Sequence, residues 1–195
     1  MIIKRSILIK EGILVENYKK ELIEGFEIRV LPARTVHSNI VMRIYDKFND
    51  YIRNNNIECV VYPDNLYLFI DKKNRVSPDI MVICDIARLT EKGYEGVPEL
   101  VVEVLSRSTE KMDTTKKLQI YEQLGIKEYW IVDPVSRTIK QFILKDNKYE
   151  LEDIYYEDVE EDIEDDEYIS KDSFNTYIFP KLEIKVKDLF KHKNT

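Results

Sequence analysis

Three side chains have types and spacing that suit hydrolytic chemistry: Asp79, Glu103 and Lys117. Asp79 follows Ser77-Pro78 and opens the apolar run Ile80-Met81-Val82-Ile83. Glu103 interrupts the apolar run Glu99 to Leu105 (ELVVEVL). Strand side chains alternate, so Glu103 and Leu105 face one way while Val102 and Val104 face the other. A carboxylate in such a strand is costly to bury unless it is paired or bound to a metal. Lys117 lies in a helical pattern, about 40 degrees from Tyr121 at 100 degrees per residue, inside the apolar arc. Lys116 falls roughly 100 degrees further round, toward solvent. Two acids on neighbouring strands can hold a hard divalent cation such as Mg²⁺. The cation polarises a phosphate oxygen and acidifies water, and an ammonium positions that water or offsets transition-state charge. Simpler readings compete for each residue. Glu103 could be salt-bridged or at an exposed edge, and Pro-Asp is a common turn dipeptide. Lys117 could extend past its neighbours to solvent, or pair only with Asp113 one turn earlier.

The elements that must position these residues are readable from periodicity. Val36, Ile40, Ile44, Phe48 and Tyr51/Ile52 recur at three- to four-residue spacing and predict an amphipathic helix near 35–54. Short strand-like runs follow at Glu58–Tyr62, Leu66–Ile70 and Asp79–Cys84, with turn chemistry at Asp64-Asn65 and Lys72–Asn74. Strand 99–105, a helix over 110–124 ending at Gly125, and strand 128–133 ending at Pro134 make a βαβ crossover. Its two strands should be parallel and covered by the helix. Residues 138–186 read as further strands with a polar excursion, and Lys187–Lys191 as a short helix. The expected fold is α/β: a mixed sheet with helix 35–54 on one side and helix 110–124 on the other. A length of 195 residues suits a single domain over 1–195.

Composition excludes several classes. Only 11 residues are Gly or Pro, against collagen-like or low-complexity chains. No apolar run approaches the roughly 20 residues of a membrane helix. Residues 1–14 are broken by Lys4, Arg5, Lys10 and Glu11 and do not read as a secretory signal. Cys59 and Cys84 read as two reduced core thiols of a cytoplasmic protein, and two histidines are too few for a structural zinc site. The formal charge of −7 speaks against a simple basic nucleic-acid binder. Residues 150–167 carry twelve acids and no base, so the rest of the chain stands at +5. A modestly basic body with one acidic excursion, read as a solvated hairpin or loop, can still accept a polyanion on its other side.

Pro78-Asp79 and Glu103, twenty-four residues apart, resemble the PD-(D/E)XK nuclease superfamily, and more closely its Uma-type restriction-endonuclease family. The matching stretches are Glu21-Leu22-Ile23-Glu24-Gly25, His37, Val76 to Ile80, residues 98–134, and Phe179 to Phe190. The resemblance implies a restriction-endonuclease-like sheet and metal-dependent hydrolysis of nucleic-acid phosphodiesters, with DNA as the substrate and a homodimer as the assembly. It assigns Asp79 and Glu103 to a Mg²⁺ ion, for which Mn²⁺ can substitute. The superfamily lysine would lie two residues after the glutamate, where this chain has Leu105. In the Uma-type family a lysine on the following helix takes its place, here Lys117. Asp113 fits the acid preceding that lysine. Glu21 fits a further metal or water ligand. His37 fits a residue that contacts phosphate or positions the site, with a capping or core role as the alternative. Tyr121, Tyr129 and Trp130 read as packing. Two other readings stand beside catalysis. One is a nucleic-acid-binding or protein-interaction module that keeps the fold but cleaves little. The other is a globular protein whose carboxylates are structural.

Overall fold

The structure is a computed structural model and describes residues 19–30, 34–106, 109–157 and 171–191. The expectations for residues 1–14 and for 158–167 of the acidic stretch lie outside the described residues. Strands are β1 (Lys19–Ile23), β2 (Phe26–Val30), β3 (Val60–Pro63), β4 (Leu68–Phe69), β5 (Arg75–Val76), β6 (Ile80–Ile83) and β7 (Leu89–Thr90). They continue as β8 (Gly93–Tyr94), β9 (Leu100–Val104), β10 (Glu128–Asp133), β11 (Thr138–Lys145), β12 (Lys148–Tyr156), β13 (Ser173–Asn175) and β14 (Glu183–Lys185). Helices are α1 (Thr35–Asn54), α2 (Glu110–Met112), α3 (Leu118–Leu124) and α4 (Val186–Phe190), with a π-helical turn at Asp113–Lys117 between α2 and α3.

The main sheet runs β12-β11-β10-β9-β6-β3. Only β9 and β10 are parallel, as the crossover requires; the other neighbours are antiparallel. The alternation of β9 sorts its side chains between two cores. Val102 and Val104 join Ile80, Trp130 and Val132 beneath Ile40, Ile44, Phe48 and Ile52 of α1. Val101 faces the other way with Met81, Tyr129 and Ile131, beneath Ile120 and Tyr121 of α3 and Ile23, Leu68 and Val76 of a second sheet. That second sheet runs β2-β1-β5-β4-β8-β7. Its β1–β2 hairpin turns on Glu24-Gly25, both with positive φ, a two-residue turn in which glycine supplies the left-handed conformation. Gly125 caps α3 in the same way, with φ of +87°.

Three local expectations are corrected. First, Cys59 and Cys84 are bonded to each other. β3 pairs antiparallel with β6, Val60 opposite Ile83, so the next step of the register sets the two cysteines face to face. The compartment argument drawn from reduced thiols falls with this pairing. Second, residues 150–156 are not loop but part of β12, the outer strand of the main sheet. Its acids sit where an edge strand meets solvent, and Lys145 of β11 answers Glu150 and Glu152. Third, helix 110–124 is not one continuous α-helix, because the π turn widens it at Asp113–Lys117. The Thr114 and Thr115 hydroxyls donate back to the carbonyls of Glu110 and Lys111 within this stretch.

Candidate active site

Four acids and one lysine meet where the two sheets and the π turn converge. One step past the Ile80–Val102 pair, the β6–β9 register places Asp79 opposite Glu103 on one face of the main sheet. Glu21 arrives from β1 of the second sheet, and Asp113 and Lys117 from the π turn. All five are buried. Lys117 Nζ lies 3.0 Å from Glu21 Oε1, 3.0 Å from Glu103 Oε1 and 3.3 Å from Asp113 Oδ1. Its three N–H bonds therefore face three carboxylates. Lys116, by contrast, is exposed and paired with Glu24 at the surface.

Asp79 is held differently. Its Oδ2 accepts the Val104 backbone N–H at 2.8 Å and lies 3.0 Å from His37 Nε2 on the first turn of α1. Glu21 Oε1 also accepts the Ser77 backbone N–H at 2.9 Å, which ties β1 to the segment entering β6. Sequence reading missed the tyrosine hydroxyls. Tyr121 donates to Glu103 Oε1 at 2.6 Å, and Tyr129 donates to the Asp113 carbonyl at 3.1 Å. The signal was available in the helical arc, because Tyr121 lies one turn beyond Lys117 and points at the same strand.

The electrostatics follow from burial and crowding. Burial pushes the Glu103 carboxyl well above its usual range; Lys117 opposes this, while Asp113, Asp79 and Glu21 add to it. Asp113 is raised by burial as well, against the pull of Lys117. Burial acts to raise Asp79 too, but the His37 hydrogen bond and charge, with Lys19, hold it below its usual value. Burial disfavours the Lys117 ammonium, yet Glu103, Asp113 and Glu21 carry it well above its usual value.

This cluster suits a hard divalent cation. Four carboxylates share one lysine, an excess of negative charge that burial makes expensive. The His37 Nδ1 and Ser77 Oγ atoms are buried without a protein hydrogen-bond partner, so polar capacity is left over here. The bonds to Asp79 run to Oδ2 and those to Glu103 run to Oε1, leaving one oxygen of each as a ligand. Among the described residues no group of three or more His, Cys, Asp and Glu side chains is arranged to hold an ion alone. Two carboxylates completed by water and substrate oxygens is an ordinary Mg²⁺ arrangement.

Over residues 13–170 the chain matches Uma2, the family described as "Putative restriction endonuclease", and it belongs to that family. A solved structure with the same fold is that of a "putative nuclease belonging to DUF820" from Anabaena variabilis. It superposes with a TM-score of 0.66 at 21% identity, covering 88% of this chain and 89% of the other. No curated protein matches the sequence. The fold is thus α/β with mixed sheets flanked by helices, shared with a nuclease-like protein.

Proposed function

We propose that the protein is a divalent-cation-dependent endonuclease that hydrolyses DNA phosphodiester bonds, built as one domain over residues 1–195 and working as a homodimer. The observation that carries this reading is the placement of Asp79 opposite Glu103, with Lys117 buried against Glu103. Asp79 and Glu103 would hold Mg²⁺, or Mn²⁺ in its place. When bound, the cation supplies Lewis acidity to a phosphodiester oxygen and lowers the pKa of water. Lys117 positions the attacking water by hydrogen bonding and offsets negative charge in the transition state. Glu21 and Asp113 keep the ammonium at the site and keep it charged. His37 fixes the orientation of Asp79. The substrate brings its own negative charge, so the cation and Lys117 together must outweigh four acids. Among the described residues no helix is long and apolar enough to cross a membrane.

Calorimetric titration with Mn²⁺ tests the reading, on wild type and on Asp79→Asn and Glu103→Gln, with nicking of supercoiled DNA measured in parallel. A site present in wild type and lost in both variants, with nicking lost too, is the expected result. Equal binding in all three would assign the cation to the acidic stretch and end the nuclease mechanism. A second reading has its own support: all three N–H bonds of Lys117 face carboxylates, which suits a binding module that cleaves little. It predicts salt-dependent DNA affinity that survives both substitutions without any nicking.

A further inference from the structure

We infer that Tyr121 is a positioning residue for Glu103: its hydroxyl holds the carboxylate in place when Lys117 turns from Glu103 to the substrate. The inference rests on the metal-dependent reading above. Glu103 Oε1 takes two donors, Tyr121 OH at 2.6 Å and Lys117 Nζ at 3.0 Å. They stand one helical turn apart, so both descend on the same atom from one face.

The two donors are not equivalent. Lys117 is divided among Glu103, Glu21 and Asp113, and it cannot reach a water or a phosphate without releasing at least one of them. If Lys117 were the sole donor to Glu103, its departure would leave a buried carboxylate oxygen unpaired and the side chain free to rotate. Tyr121 removes that cost. A phenol also donates without bringing a positive charge, so Glu103 keeps its full charge for a cation on the other oxygen.

The tyrosine is built to stay where it is. It is fully buried, and its ring meets Tyr129 edge-on with centroids 5.1 Å apart. Tyr129 in turn donates to the Asp113 carbonyl, so the aromatic pair anchors both the glutamate and the π turn that carries the lysine. The mobile partner is the long lysine side chain, and the fixed partner is the ring.

Tyr121→Phe removes the hydroxyl and keeps the ring, which separates positioning from packing. The first readout is the Mn²⁺ dissociation constant by calorimetry, on the full chain, with thermal melting alongside. The expected result is affinity weakened about tenfold, equivalent to about 1.4 kcal/mol. In a Glu103→Gln background the same substitution should change nothing further. Affinity within twofold of wild type overturns the inference, including when the melting temperature falls, since that pattern marks a purely structural tyrosine. Should Tyr121→Phe fail to fold, 3-fluorotyrosine placed at 121 keeps ring and hydroxyl. Its ¹⁹F signal should move on Mg²⁺ titration with the calorimetric midpoint, and a signal that stays still overturns the inference. A wild type that binds no cation overturns this inference and the metal-dependent reading together. A wild type that binds normally beside an unaffected Tyr121→Phe overturns this inference alone.

Discussion

Lys116 and Lys117 are adjacent in the chain and opposite in environment, one exposed with Glu24, the other enclosed by three acids. Lys117→Ala should therefore cut nicking by at least about 100-fold, a usual cost for losing a positioned proton donor. Lys116→Ala should stay within twofold in the same assay, and equal losses would remove the argument from helix geometry. The acids make a second prediction. Glu103 and Asp113 are raised, so in the cation-free protein they favour the folded state most at pH below their unfolded values. That contribution is lost as pH rises through the folded values. Melting temperatures of the cation-free protein should carry a component that falls from mildly acid toward neutral pH and is reduced by Mn²⁺. Glu103→Gln, neutral at every pH, should melt no lower than wild type at pH 8, and a clear drop there would contradict the raised carboxyl. The acids and the lysine were legible because a charged residue in an apolar pattern stands out. The Tyr121 hydroxyl was not, because a tyrosine on an apolar arc satisfies packing equally well.

At the scale of elements, β6 is held at both ends. Asp79 sits just before it, fixed by the Val104 N–H, and Cys84 follows it, bonded to Cys59 beside β3. The bond spans 25 positions and closes a loop whose entropy is worth at most about 3 kcal/mol. Reduction should lower the melting temperature, and Cys59→Ser with Cys84→Ser should reproduce the shift. Mn²⁺ affinity should be unchanged by either treatment, since the bond lies at the end of β6 away from Asp79. A loss of affinity would mean that the strand transmits strain to the site. The pairing was not readable from two cysteines in no recognised spacing; it needed the β3–β6 register. β12 was missed for a related reason, since its acids read as solvated loop and only the sheet order shows an exposed edge. The π turn escaped because arithmetic at 100 degrees per residue assumes an unbroken α-helix. Helix α1 was read to its observed limits, because its periodicity runs uninterrupted over all twenty residues.

At the scale of the whole molecule, the site belongs to no single segment. It joins the second sheet through Glu21, the main sheet through Asp79 and Glu103, and the π turn through Lys117. The contact between Glu21 and Lys117 closes nearly a hundred positions of chain, a slow kind of contact for a folding polypeptide to reach. This has a consequence for birth on the ribosome, where the chain emerges from its N-terminus. All four acids are synthesised before the one ammonium that reconciles them. Until Lys117 clears the exit tunnel, Glu21, Asp79, Glu103 and Asp113 repel one another and have reason to remain solvated and apart. The arrival of Lys117 then lets the two sheets close, so the nascent protein gains its working centre only once the parts that restrain it are in place.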